Sequence, residues 1–396
     1  MRKDFLFTSE SVTDGHPDRL CDCIADALVD RFLQKDPYAR IIAECALSKN
    51  VLFLAARFVS EINIDIPEVA RTVLAQVGYH PEDFDAQNCS VLTSLIRMSS
   101  DHRAFADEKE MTDREIDQVT SHSQATVFGY ACNQTPELMP LPIVLSNRLA
   151  HKLSLARLAK KIPGLSPDST VQVGVRYENG VPTQIPGITV IAGTSNSHQL
   201  DSGLLKELLM KQVIQPMFKQ ETIDIDSETE IFINPQGAYP KSGPAFHSGM
   251  TGRKTASDSY GAYARHSGSA LSGKDPSRID RIGAYMARYA AKNVVASGLA
   301  DECEIQLSYA IGHPGPTSIQ VHGFGTEKVS EEELLQRITE TFDFRVGSII
   351  RDFNLRHLPG KSTGGFYQRL PVEGHFGNTT MSLPWEKIDR AEQLRG

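Results

Sequence analysis

No apolar run in this chain approaches the roughly 18 residues that a membrane span requires. The opening MRKDFLFTSE also lacks the apolar centre of a secretory signal. Cysteine is sparse, at 6 among 396 residues, too few and too scattered for a disulfide framework. Cys21 and Cys23 stand two apart on a predicted helix and face different ways, which argues against a metal pair. A basic excess is missing too: the formal net charge of -8 argues against a nucleic-acid binder. What remains is a soluble globular composition, 40% hydrophobic and 23% charged. The length predicts two or three domains. The expectation is a cytoplasmic enzyme with neither nucleic-acid nor membrane partners. The lone Trp385, in Leu-Pro-Trp-Glu, reads as a packing anchor.

Against that acidic background, cations are concentrated locally. Gly249-Met-Thr-Gly-Arg-Lys254 is followed by Ser272-Gly-Lys-Asp-Pro-Ser-Arg-Ile-Asp-Arg281. Arg253, Lys254, Lys274, Arg278 and Arg281 thus fall among glycine turns, beside Asp275 and Asp280. Asp275 is predicted as an N-cap, with Pro276 at the first helical position. Ile279, Ile282, Met286 and Tyr289 then recur at helical spacing until Gly298. Cations at a helix start oppose the macrodipole unless an anion sits there, and a polyphosphate would resolve the conflict. A solvated basic face is the alternative, but such a face does not require the glycines.

Elsewhere strand-like and helix-like segments alternate. Ile41–Ala46 and Val51–Val59 are predicted strands, turning at Lys49-Asn50, and Pro67–Gly78 is a predicted helix. Val171–Tyr177 and Ile185–Ala192 form a predicted hairpin across Glu178-Asn179-Gly180. Leu204–Phe218 is predicted helical and Glu230–Asn234 extended. Cys303–Ile311 and Ser318–Phe324 follow as strands, then a helix over Glu331–Phe342. A β-α-β-β-α-β pattern recurring about three times predicts an α+β protein. The polar stretch 98–117 is either a lid over a site or a long surface loop. His313, in Gly-His-Pro-Gly, reads as a turn former.

Phe7 to Arg19 leads into a helix with Leu20, Ile24, Leu28 and Phe32 on one stripe. Pro17 at its start sets His16 and Asp18 at the positive dipole end. That carboxylate either stabilises the helix alone or carries Mg²⁺ to a phosphate held by the same His-Pro-Asp.

The motifs FTSESVTDGHPD, FGYACNQTPELMPLPIVLSNRLAHKL, INPQGAYPKSGP, GMTGRK, SGKDPSRIDR, LADECEIQLSYAIG, FGTEKV and GHFGN…LPWEK run in order along the chain. With them the sequence resembles the S-adenosylmethionine synthetase (methionine adenosyltransferase) family from Phe5 to about Arg390. The resemblance implies three βαββαβ domains related by a pseudo-threefold, expected at 12–118, at 119–236 with 1–11, and at 237–396, interleaved in sequence. It implies a homodimer or homotetramer with active sites at the dimer interface. It also implies that methionine sulfur attacks C5′ of ATP, releasing triphosphate that is cut to PPi and Pi. By position, His16 would lie near the departing oxygen, with Arg253, Lys254, Lys274 and Arg278 clamping phosphate. Asp18 and Asp280 would hold Mg²⁺, and Glu44 would serve K⁺. Asp168 would bind ribose and Tyr239 would stack on the base, with Gln124 kept from the family's substrate loop.

Other positions depart from the family pattern. The aspartate of its GAGDQG loop is Ser123, after His122, and the aspartate ending GGPMGD is His247. The glutamate of the N-terminal hairpin falls at Arg57 and the glutamine opening the lid at Met98. A lysine and an arginine of the base surround fall at Thr170 and Ala238, and the lysine after His-Pro-Asp is Arg19. The triphosphate positions are thus kept while the amino-acid pocket changes charge, a difference of several kcal/mol at effective dielectrics near ~20. The resulting expectation is a nucleotide–sulfonium-forming transferase of altered specificity, with CTP as a candidate for the nucleotide. An ordinary ATP-dependent S-adenosylmethionine synthetase and a non-catalytic nucleotide binder or triphosphatase are the alternatives. His122 and His247 are expected to pair if their loops face each other.

Overall fold

The computed structural model describes residues 4–98, 107–195, 200–237, 239 and 242–396. In chain order the main elements are β1 (Phe5–Val12), α1 (Pro17–Lys35), β2 (Arg40–Ser48), β3 (Val51–Val59), α2 (Ile66–Val77), β4 (Ser90–Arg97), α3 (Asp113–Ile116), β5 (Ala125–Cys132) and α4 (Leu141–Leu158). They continue as β6 (Leu165–Glu178), β7 (Val181–Thr194), α5 (Ser202–Leu209), α6 (Gln215–Phe218), β8 (Glu230–Ile233), β9 (Gly249–Met250), α7 (Thr255–Asp258), α8 (Ile279–Ser297), β10 (Glu302–Tyr309), β11 (Ser318–His322), α9 (Glu331–Thr341) and α10 (Val346–Phe353).

Three sheets result, ordered β1-β6-β7-β8, β11-β10-β5 and β4-β3-β2-β9. Each is covered by one long helix: α4 on the first, α8 on the second, α1 on the third. This is the α+β layering that the recurring pattern predicts. Strands from distant segments complete the sheets: β1 joins β6, β5 joins β10, and β9 joins β2. α1 and α8 are buried almost all round and anchor the larger core, whereas α4 centres the second. No helix among the described residues is long and apolar enough to cross a membrane.

Most predicted elements stand within a residue or two. The helix at 204–218 is interrupted by a π turn at Met210–Ile214, just before Pro216, which has no N–H to continue the ladder. The predicted start of α8 needs correction. Its N-cap is Arg278, not Asp275, because the Asp275 carboxylate accepts the Ile41 and Ser277 N–H groups (both 2.7 Å) and ties the preceding loop to β2. Of the 98–117 stretch, residues 99–106 and also Ala238 lie outside the described residues. Its far end forms α3 behind a Thr112–Glu115 capping box.

The sheet β4-β3-β2-β9 leaves one face open. Its register sets Met250, Ala46, Phe53 and Leu92 in one row across four strands, and Ile42, Arg57 and Ile96 in another. Phe53, Leu92, Ile96 and Met250 are 46%, 55%, 52% and 50% exposed, an apolar patch of the kind that marks an interaction surface.

Candidate functional site

Two loops carry the cations, and both are drawn onto the body of the protein by glycines. A Cβ on Gly249 would stand 2.1 Å from the Pro17 carbonyl carbon, so only glycine lets β9 approach the mouth of α1. Gly273, at φ +75°, would collide with the Ala43 carbonyl oxygen at 2.1 Å. The first loop therefore lies beside His16 and Asp18, and the second beside the middle of β2.

In the first region His16 is the N-cap of α1, its Nδ1 accepting the Asp18 N–H at 3.2 Å. Asp18 accepts the Met250 N–H at 3.0 Å and the Lys254 ammonium at 2.7 Å, with Arg253 at 3.7 Å. Burial disfavours the Asp18 charge, but the Lys254 ammonium and the Met250 N–H outweigh it and hold the carboxyl below its ordinary range. Asp168, on β6, accepts the Gly243 N–H at 2.7 Å, and its Oδ2 lies 2.8 Å from His247 Nε2. The His16 and His247 rings meet edge to face at 5.0 Å. Tyr239 closes this side against Phe246, ring centroids 6.0 Å apart, and its carbonyl accepts the Thr194 N–H.

Ligand atoms of His16, Asp168 and His247 lie within 4.8 Å of one another, close enough to suggest an ion. The chemistry of His16 argues otherwise. A ring whose Nδ1 accepts an N–H carries its proton on Nε2 when neutral, so neither ring nitrogen of His16 offers a free lone pair to a metal. Burial, followed by the Lys254 charge, lowers its pKa to about 4 despite Asp168 and Asp18, so the neutral tautomer is the form present at neutral pH.

In the second region Lys274 bridges to Ile42 of β2 and its ammonium donates to the Ala270 carbonyl at 2.6 Å. Burial lowers its pKa, opposed by the Asp280 carboxylate. Asp280 stands in the first turn of α8, with the Ser123 hydroxyl at 3.5 Å. Glu44 is exposed on β2, two pairs along from Arg57, which is exposed on β3 opposite Ile42. Asp280 and Glu44 offer oxygen donors suited to hard cations, as does Asp18 in the first region. His122 lies 3.1 Å from Arg40, at the start of β2. Gln124 is exposed just before β5. Met98, 39% exposed, donates its N–H to the Phe58 carbonyl at the end of β3. Arg278 keeps its Nε 3.9 Å from Asp275.

Two expectations are corrected here. Arg281 is not an anion ligand: fully buried, it grips both Asp26 oxygens at 2.6 Å and lies over the Tyr367 ring. Within one chain, His122 and His247 do not pair. Their loops attach to β2 at opposite ends, through Arg40 and through β9 at Ala46 and Leu47. Lys274 and Met250 meet β2 at Ile42 and Ala46, about 13 Å apart along an extended strand. Within one chain the two cation loops therefore stand apart on β2. The sequence reading also missed the aspartates at 22, 26 and 30, which continue from Asp18 as a stripe at helical spacing that is entirely buried. Their four-residue period was the available signal.

Comparison with known proteins matches three domain descriptions of S-adenosylmethionine synthetase: the N-terminal domain over residues 4–100, the central domain over 118–239 and the C-terminal domain over 242–387. The chain is 42% identical to the S-adenosylmethionine synthase of Gloeothece citriformis, covering 100% of this chain and 97% of that protein. Identity to the same-named protein of Synechococcus elongatus is 42%, covering 100% and 98%. For that of Rippkaea orientalis it is 40%, covering 100% and 97%.

Proposed function

Because the chain belongs to the S-adenosylmethionine synthetase family, we propose that it is an enzyme of the methionine adenosyltransferase type, joining methionine sulfur to C5′ of ATP with release of triphosphate. Its similarity to proteins named S-adenosylmethionine synthase favours the ordinary ATP-dependent reaction over altered specificity. The observation that carries the reading is the pair of glycine-seated cation loops, Arg253-Lys254 beside His16 and Lys274 beside Asp280.

A neutral thioether attacking an sp³ carbon loses no proton, so no general base is needed. The demands are alignment of S, C5′ and O5′ and stabilisation of charge gathering on the leaving triphosphate. Neutral His16, with its proton on Nε2, suits hydrogen bonding to the departing oxygen. Arg253, Lys254, Lys274 and Arg278 would take the phosphate oxygens, Asp168 the ribose, and Tyr239 and Gln124 the base. Asp18 and Asp280 would hold Mg²⁺ and Glu44 would serve K⁺; the metals, when bound, would spread the triphosphate charge. The two cation regions are half-sites in this reading, completed by a second copy packed on the open face of β4-β3-β2-β9; the exposed apolar row there supports a homodimer, alone or paired into a tetramer. The buried free cysteines suit a reducing cytoplasm.

A second reading, with a changed acceptor pose or CTP as nucleotide, is favoured by one observation. His247 occupies Asp168 at the proposed ribose end, while Ser123, Arg57 and Met98 stand where the family pattern has acidic or amide groups. The test is a matrix of ATP, CTP, GTP and UTP with and without methionine, in Mg²⁺ and K⁺, read by mass spectrometry and phosphate release. S-adenosylmethionine from ATP alone supports the first reading, and a pyrimidine sulfonium the second. Phosphate release without any sulfonium product would leave a triphosphatase, and no turnover a nucleotide-binding protein.

A further inference from the structure

Helix α1 carries aspartates at 18, 22, 26 and 30, one residue per turn along a single stripe, and they are 2%, 0%, 0% and 2% exposed. Like charges at this spacing destabilise a helix, and burying them adds desolvation. Each, however, accepts backbone N–H groups from the C-terminal part of the chain. Asp18 takes Met250, Asp22 takes Gly252 at 2.8 Å, Asp26 takes Gly273 at 2.8 Å, and Asp30 takes Tyr367 and Gln368 at 2.9 Å. The first rung ends in the strand that leads to Arg253-Lys254, and the second and third end on the residues immediately preceding Arg253-Lys254 and Lys274. Only the fourth ends on a segment without a cation of the site.

We propose that Asp22 is a positioning residue for the triphosphate clamp, fixing through the Gly252 N–H the place at which Arg253 and Lys254 meet the phosphates; Asp26 does the same for Lys274 through Gly273. This rests on the reading of those cations as triphosphate ligands. Gly252, at φ +81°, holds a left-handed turn in which a Cβ would meet the Ala270 side chain at 2.6 Å, and its part-buried N–H donates to the Asp22 carboxylate. Asp22 Oδ2 has no hydrogen-bond partner and stands 3.6 Å from the buried Arg19. Asparagine in place of Asp22 keeps an acceptor oxygen for the Gly252 N–H.

The test uses the full chain, with magnesium tripolyphosphate binding followed by calorimetry and melting temperature recorded in parallel. Asp22→Ala is expected to raise Kd by about tenfold or more, as displaced binding groups do, while Asp22→Asn, which keeps the acceptor for Gly252, stays within about twofold. Asp30→Ala, which breaks the rung that serves no cation, is expected to lower the melting temperature with Kd unchanged. A merely structural stripe would give the same Kd in every folded variant, and that result overturns the proposal. So does an Asp22→Asn variant as weak as Asp22→Ala. Arg253→Ala separates the two levels. If it weakens tripolyphosphate while Asp22→Ala does not, positioning fails alone; if neither matters, the clamp reading fails and the proposal with it.

Discussion

His247 Nε2 lies 2.8 Å from Asp168 Oδ2, and the same oxygen accepts the Gly243 N–H. The carboxylate is thereby held on one side, and its other oxygen is left for a ligand. Replacing His247 by a carboxylate would set two acidic groups in contact, forcing one to hold a proton or to find a cation. The double variant Ser123→Asp with His247→Asp is expected to shift relative kcat/KM toward ATP and methionine. Steady-state kinetics with ATP and CTP read the shift. A folded but inactive double variant contradicts the view that these loops tune specificity.

The Lys274 ammonium donates to the Ala270 carbonyl and Asp280 meets the Ser123 hydroxyl, and among the described residues neither forms an ion pair. Lys274→Ala and Asp280→Asn are each expected to lower kcat by about 10²–10³, the usual cost of removing one charge-stabilising group. Full activity in either variant would remove it from the clamp.

Arg281 and Asp26 form a buried bidentate pair linking α1 to α8. Breaking such a pair from one side leaves an uncompensated charge and costs about 3–5 kcal/mol. Arg281→Met should therefore reduce stability by that order in urea denaturation. A change below about 1 kcal/mol, the scale of an exposed pair, would contradict the structural role given to it here.

His375 is fully buried, its Nδ1 2.9 Å from the Tyr285 hydroxyl. Burial, with Arg281 and Arg19 adding to it, drives its pKa well below the ordinary value. The folded state thus keeps it neutral, while the unfolded chain takes up a proton below about pH 6.5. Its contribution to stability is present above that pH and is lost as pH falls further. Urea midpoints should drop on acidification from pH 7 to 5, and more steeply in the wild type than in His375→Gln. Equal slopes would place the titration elsewhere.

How much of this was legible beforehand follows from range. β2, β3, α2, β6, β7 and α9 were readable because period and turn residues are local signals. The start of α8 was misplaced because Asp275, a good N-cap by type, is claimed by Ile41 more than two hundred residues earlier. β9 has only two residues and no periodicity at all. The burial of Asp22, Asp26 and Asp30 on α1 has no local cause, since the N–H groups that meet them come from Gly252, Gly273, Tyr367 and Gln368, far along the chain. The separation of the two cation loops is likewise a property of the β2 register rather than of any motif.

The open sheet face leads to the next expectation. Phe53→Glu with Leu92→Glu sets two charges in the apolar row and should yield a folded monomer without transferase activity, seen by light scattering alongside an activity assay. An active monomer would contradict the need for a second copy.

The most direct measurement mixes two inactive variants, one broken in each half-site. Lys254→Ala and Lys274→Ala proteins, unfolded and refolded together, should form mixed dimers in which one site has both halves intact. Random pairing of two equal pools predicts about a quarter of wild-type activity in a two-fold dimer. A mixture no more active than its components would contradict an active site assembled from two chains.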